Sequence, residues 1–167
     1  MLENSYSIDV ELYNYIRKLL PDKSTILEFG SGEGTGELAK YYNMISVEHD
    51  ETYVGKYNSQ YIHAPLKQCK PHGKFPKSNT WYDARAIEKG IIGKTYDLML
   101  IDGPPGPNIT RPAMFKYRNL FNWNIPVIFD DAGAGGVYSL IVTLCKYLQK
   151  PEIKIYSADK KKAFAVI

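Results

Sequence analysis

Apolar and polar positions alternate along this chain with two periods in turn, and the switches between them mark out its elements. Ile8, Leu12, Tyr15, Ile16, Leu19 and Leu20 recur at helical spacing and Pro21 stops the run, so a helix is predicted over Ile8–Leu20. Ser24–Phe29 is a short apolar and β-branched run that ends in glycines, which reads as a strand. Gly34–Tyr42 follows as a helix, Met44–Glu48 as a strand, Glu51–Asn58 as a helix and Tyr61–Ala64 as a strand. Residues Pro65–Thr80, rich in Pro, Lys, Gly and Ser, have no period and read as a long loop. Beyond it the pattern predicts a helix at Ala84–Ile91, a strand at Asp97–Ile101, a turn at Asp102–Pro107 and a helix at Ala113–Phe121. A strand at Pro126–Phe129, a helix at Val137–Leu148 and a hairpin of Ile153–Ser157 with Ala163–Ile167 across Asp159–Lys162 complete the chain.

Alternating strands and helices predict an α/β sandwich around a mostly parallel sheet, with an antiparallel C-terminal hairpin. The 167 residues suit a single domain, with residues 1–23 as an N-terminal helix and 24–167 as the core. In such sheets ligands sit beyond the carboxyl ends of the strands, so polar residues at those ends carry the candidate chemistry.

Composition removes several classes. Hydrophobic residues are 44% and charged residues 23%, the profile of a globular chain. A net charge of +3 gives no argument for nucleic acid. The basic residues do cluster, as Lys67, Lys70, Lys74 and Lys77 and as Lys160, Lys161 and Lys162; such runs are more often solvated turns than binding sites. Cys69 and Cys145 form neither a CxxC nor a metal spacing, which fits a reducing compartment. The acids near the N-terminus do not resemble a signal peptide, and the apolar stretches are too short for a bilayer, so a cytoplasmic protein is expected.

The chemistry begins at Glu28-Phe29-Gly30-Ser31-Gly32-Glu33-Gly34. Alternate glycines let a backbone turn sharply and lie close to a ligand. A dinucleotide turn, GxGxxG, would need glycine at Thr35 or Glu37 and does not fit. The run (D/E)xGxGxG resembles motif I of the class I S-adenosylmethionine-dependent methyltransferases. The resemblance implies a Rossmann-like three-layer sandwich with a seven-stranded, mostly parallel sheet. It also implies that S-adenosylmethionine is held by Glu28, Gly30, Ser31, Gly32 and Gly34. Glu48 lies 20 residues after Glu28, one strand–helix–strand step on, where the family places an acid on the ribose hydroxyls; His49 adjoins it and Asp50 is a second candidate. Trp81-Tyr82-Asp83 precedes a helix. By resemblance Asp83 would bond the adenine amino group while Tyr82 or Trp81 covers the ring; as a bare sequence feature Asp83 is equally a helix N-cap.

Asp102 ends one predicted strand and Asp130-Asp131 ends the next, so three carboxylates would share one cleft. Unscreened, they would repel unless protons or a cation intervene. Asp102, Asp130 and Asp131 look like the Mg²⁺ or other divalent-cation site of cation-dependent O-methyltransferases, and the Asp-Gly-Pro-Pro-Gly turn is similar to members acting on glycans. Asp102 could instead be a base directly, or Asp102 and its neighbours could cap loops. His63, at the end of a strand, is a second candidate base, although a lone histidine is more often structural. Arg111 and the lysine-rich loop are candidates for holding an acidic substrate.

The sequence therefore predicts an S-adenosylmethionine-dependent methyltransferase acting on a hydroxyl of a small molecule or glycan. The other readings are a cofactor-binding subunit without transfer and a Rossmann-type NAD or nucleotide-sugar enzyme. Only one helix precedes the core, so capping of the acceptor falls to the Pro65–Thr80 loop or to a second subunit of a homodimer.

Overall fold

A computed structural model describes residues 8–150, 154–156 and 163–167. The strands are β1 (Thr25–Phe29), β2 (Asn43–Glu48), β3 (Gln60–His63), β4 (Leu66–Gln68), β5 (Thr80–Tyr82), β6 (Leu98–Ile101), β7 (Val127–Phe129), β8 (Lys154–Tyr156) and β9 (Phe164–Val166). Seven of them form one sheet in the order β3-β2-β1-β6-β7-β9-β8. The pairs from β3 to β7 are parallel, whereas β9 runs antiparallel to both β7 and β8. This is the Rossmann-like α/β sandwich expected, with its antiparallel C-terminal pair. The Asp159–Lys162 turn and the Lys160–Lys162 cluster lie outside the described residues.

The sheet is central because both of its faces are apolar. Along β1, Leu27 and Phe29 join one core with Ile45, Val47, Met99, Ile101 and Phe129. Ile26 faces the other way, into a core with Leu12, Ile16, Leu38, Met44, Leu98 and Ile128. The period of two along a strand places Glu28 on this second face. Leu12 and Ile16 come from helix α1 (Val10–Leu19), whose N-cap Asp9 accepts a hydrogen bond from Glu11 N at 2.8 Å. Leu38 closes the short α2 (Glu33–Leu38). On the first face, α4 (Gly135–Leu148) buries Val137, Leu140, Ile141, Leu144 and Cys145, one stripe at helical spacing.

Three elements differ from the sequence expectation. The helix expected over Glu51–Asn58 is a series of turns. Asp50 Oδ1 accepts from Thr52 N and Thr52 Oγ1, an Asx-type turn, and Gly55 has φ of +81°, so the backbone leaves helical geometry at both places. The Pro65–Thr80 loop is anchored at its ends by β4 and β5, which pair antiparallel as a separate small sheet. The helix expected at Ala113–Phe121 is a 3-10 segment over Arg111–Leu120. Its turns are held by side chains, with Arg118 Nη1 donating to Phe115 O and Trp123 Nε1 to Arg118 O. Helix α3 (Ala84–Ile91) has the predicted bounds. No helix among the described residues is long and apolar enough to cross a membrane.

Candidate functional site

The order of strands reverses between β1 and β6, because β1 is followed on one side by β2 and on the other by β6. Chains leaving these strands diverge to opposite faces and open a crevice there. The ladder continues to the very tips: Gly30 N donates to Val47 O at 2.9 Å, Asp102 N to Phe29 O at 3.0 Å and Asp130 N to Ile101 O at 3.0 Å. The glycine turn, Asp102 and Asp130 are thereby fixed side by side. A cleft of about 890 Å³ opens above them, lined by Gly30, Ser31, Gly32, Glu48, His49, Tyr82, Asp102, Asp130 and Asp131. Most of the residues predicted for the site do meet in one place.

Gly30 is required twice over. Its φ is +90°, and a Cβ there would lie 3.2 Å from both Cα and N of Gly103. Gly32 is different, because its φ of −160° is ordinary extended backbone; what matters is that it lines the cleft. Gly34 is not a cleft residue. A Cβ at Gly34 would lie 2.8 Å from Ile8 Cβ, so this glycine admits the segment that leads into α1.

Glu48 is buried and ties the turn to the end of β2. Its Oε2 accepts from Ser31 N at 2.7 Å, and its Oε1 accepts from His49 N at 2.7 Å and Asp50 N at 2.8 Å. A carboxylate has about four lone-pair sites, so one remains on Oε2 for a ligand hydroxyl. His49 Nδ1 lies 2.7 Å from Oε1 but is not aligned as a hydrogen bond to it. Glu28 lies beneath the turn and outside the main cleft, facing a void of about 20 Å³ with Ile8, Leu12 and Leu38, room for a single water. It accepts from Ser46 Oγ at 2.5 Å. Burial pushes its carboxyl up to about 7, against the lowering effect of Ser46 and Thr35.

Tyr82 is fully buried, and its ring packs against Phe29 and Trp81 instead of lying open to cover a base. Its hydroxyl sits against Gly103 and has no hydrogen-bond partner among the described residues. Burial, then the neighbouring Glu48, raises its pKa well above the usual phenol range, so it stays protonated. Asp83 is the cap of α3: Oδ1 accepts from Arg85 N at 3.1 Å and Oδ2 pairs with Lys67 Nζ at 2.5 Å. Its carboxylate is spent on those partners, and it does not line the cleft. His63 is exposed on the edge strand, with Nε2 3.3 Å from His49 O, and is likewise outside the cleft.

The acids after β6 and β7 meet a cation, but it is Arg111. Arg111 as a whole is 3% exposed. Its Nη2 donates to Asp102 O and lies 2.9 Å from Asp131 Oδ2 and 3.5 Å from Asp102 Oδ1 as an ion pair. Nη1 donates to Asp130 O at 3.1 Å and Nε to Pro104 O at 3.3 Å. One planar fork thus ties both strand ends to the proline turn. Among the described residues no three Asp, Glu, His or Cys side chains are grouped so as to hold a metal ion. The expected divalent-cation site at Asp102, Asp130 and Asp131 is therefore replaced by an internal counter-ion, and the residues do not fit a metal. Arg111 is equally unsuited to an acidic substrate, its donors being used within the protein. Its role was not readable from sequence, since nothing local distinguishes a buried arginine from a surface one.

The carboxyl of Asp102 is raised well above its usual range, first by loss of solvent among the strand ends and then by Asp130, against Arg111. Its side chain is still 49% exposed, into the cleft, so water screens part of that penalty. Asp130 is raised to about 6, mainly by desolvation, with Asp131 repelling it and the Asp131 N–H opposing. Tyr53 and Tyr57 also line the cleft, an aromatic wall within the Glu51–Asn58 segment whose pattern predicts a helix.

No protein-family model matches the sequence, and no curated protein does. The fold is similar to that of solved methyltransferases. The MycE methyltransferase from the mycinamycin biosynthetic pathway, in complex with Mg, SAH and mycinamycin VI, is 14% identical with a TM-score of 0.54, over 91% of this chain and 47% of that one. The chain thus spans about half the length of that enzyme. Precorrin-6y C5,15-methyltransferase from Geobacter metallireducens GS-15 is 10% identical with a TM-score of 0.56, over 98% and 93%. Human methyltransferase-like protein 13 in complex with SAH is 13% identical with a TM-score of 0.50, over 89% and 72%. At these identities the likeness establishes a shared fold.

Proposed function

We propose that the chain is an S-adenosylmethionine-dependent methyltransferase that methylates a hydroxyl of a small molecule or glycan. The carrying observation is that one cleft joins the Gly30–Gly32 turn and Glu48 at one end to Asp102, Asp130 and Asp131 at the other. The solved structures of similar fold, two of them holding SAH, support the same reading.

The cofactor end fits on three grounds. Gly30 and Gly32 keep the floor free of side chains, Glu48 Oε2 retains one acceptor site, and the buried Tyr82 hydroxyl lacks a partner. S-adenosylmethionine supplies an electrophilic methyl group and leaves as S-adenosylhomocysteine. The protein's own part is to hold the acceptor in line and remove its proton. Asp102 suits that role: it projects into the cleft, and its raised pKa makes it a better base than an ordinary aspartate. Arg111, in the wall of the cleft, orients it while its own donors stay bonded within the protein. His63 and Asp83 have no part in the transfer.

The test is transfer of a labelled methyl from S-adenosylmethionine to a panel of hydroxyl compounds, with EDTA and with added Mg²⁺. Transfer to oxygen that is equal in both, and that falls by about 100-fold in Asp102→Asn, is expected. Transfer abolished by EDTA, or unchanged in Asp102→Asn, would overturn these assignments.

A further inference from the structure

The net charge of +3 hides an uneven distribution. Residues 65–80, 103–129 and 132–150 hold nine Lys and Arg and no Asp or Glu, which leaves 12 basic and 18 acidic residues to the rest of the chain. The fold gathers these three stretches on the side of the sheet that carries α4. Helix α4 and strand β5 both pack on the Arg111–Leu120 segment, and Leu66, Cys69, Phe75, Phe115 and Leu144 share one core. Lys116 Nζ donates to Lys70 O at 3.1 Å, and Ser78 Oγ donates to Ile109 O. Among the described residues only two of the nine cations, Lys67 and Arg111, pair with a carboxylate. Lys70, Lys74, Lys77, Lys116 and Lys146 are exposed.

Aromatic rings stand among these charges. Phe115 is buried at their centre, and the rings of His72, Phe75 and Tyr147 surround it at 4.9, 5.8 and 5.9 Å between centres. The Arg118 guanidinium lies 4.5 Å from the Phe115 ring centre and 4.3 Å from that of Tyr147, so the cation and the rings hold one another in place. Tyr147 is 50% exposed, and His72 and Phe75 are half-buried. Cations that follow a phosphate backbone, beside ring faces that take a base, are the two parts of a single-strand binding surface. An anionic bilayer would meet the charges but calls for protruding apolar side chains; Phe75 is half-buried and Phe115 buried, so neither can insert. An acidic peptide would use the lysines and leave the rings idle. The face also borders the cleft, because Thr110 Oγ1 donates to Pro105 O at 2.7 Å and the turn from Pro105 to Pro107 lines the rim.

We propose that the acid-free face built by residues 65–80, the 3-10 segment and α4 binds single-stranded nucleic acid, its phosphates on Lys70, Lys74, Lys77, Lys116 and Lys146 and a base stacked on Tyr147. The surface lies outside the cleft, and the proposal does not rest on the methyltransferase reading.

The test titrates the whole protein into a labelled oligouridylate of about 12 nucleotides and follows fluorescence anisotropy, with unlabelled polyphosphate, polyglutamate and phosphatidylserine vesicles as competitors. About four phosphate contacts give a slope of log affinity against log salt near −3, so binding should weaken about 50-fold between 50 and 200 mM salt. Polyphosphate and polyglutamate of matched charge should compete about 5-fold or more weakly than unlabelled oligouridylate, because they carry no base to stack. Joint replacement Lys70→Gln, Lys74→Gln and Lys77→Gln should reduce the slope by about 2. Tyr147→Ala should weaken binding about 5-fold or more with the slope unchanged, and Tyr147→Phe, which keeps the ring and its packing, should restore it. No binding of the oligonucleotide, competition by polyphosphate, polyglutamate or vesicles as strong as by oligouridylate, or full affinity in Tyr147→Ala overturns the proposal.

Discussion

Replacing Arg111 with Met tests whether an internal guanidinium, and not a metal, holds the acid cluster together. The substitution keeps a long apolar stem but removes the charge beside Asp131 and the donors to Asp102 O, Asp130 O and Pro104 O. Removing one partner of a buried ion pair costs about 3–5 kcal/mol. The carboxylates here are 41–49% exposed and partly screened, so we take the lower end, about 3 kcal/mol. For a chain of this length, 1 kcal/mol moves the melting temperature by about 2–4 °C, so a fall of about 6–12 °C is expected at pH 8. The loss should shrink toward pH 5. Arg111 stabilises ionised carboxylates; the Asp102 carboxyl beside its Nη2 is raised, and that of Asp130, which feels the same charge, is raised to about 6, so on acidification both become neutral in the native state before an ordinary aspartate would. Urea unfolding of the wild type and Arg111→Met across this range measures both effects, with Arg111→Lys expected between them. A loss below about 1 kcal/mol at pH 8, or one that grows on acidification, would refute the reasoning.

Glu28 has a native pKa near 7, raised from 4.5, so its ionisation weakens the fold as pH rises through that window, by up to about 3 kcal/mol. Glu28→Gln should flatten the pH dependence of urea stability between pH 5 and pH 8; parallel curves would show that Glu28 is not the group responsible. Gly30→Ala should cost about 1–2 kcal/mol of stability, from positive φ and from contact with Gly103, as read by thermal melting. Gly32→Val meets no backbone strain, so it should melt like the wild type yet bind S-adenosylhomocysteine about 10-fold or more weakly in calorimetry. His63→Ala should leave methyl transfer within about 2-fold; a 100-fold loss would restore His63 as the base.

Much of the fold was legible because parallel strands buried on both faces read as continuous apolar runs, as in Leu98–Ile101 and Val127–Phe129. Strands β4 and β5 escaped because each has three residues, and the exposed Lys67 and Gln68 give no alternation. At the site, the glycine turn, Glu48 and the three aspartates are legible from the resemblance to motif I together with their places at strand ends, which converge in this topology. What side chains do there was less legible. Asp83 is a cap bonded to Lys67, Tyr82 is buried with only its hydroxyl left wanting, and the countercharge comes from Arg111, which reaches back across the proline turn. Each depends on packing between segments that the sequence does not order in space.

The central claim is that this cleft takes S-adenosylmethionine. Calorimetric titration of the whole protein with S-adenosylhomocysteine and, separately, with NAD tests it most directly. The account predicts one-to-one binding of S-adenosylhomocysteine, weakened in Gly32→Val, and no heat from NAD at the same concentrations. NAD binding tighter than S-adenosylhomocysteine would contradict it.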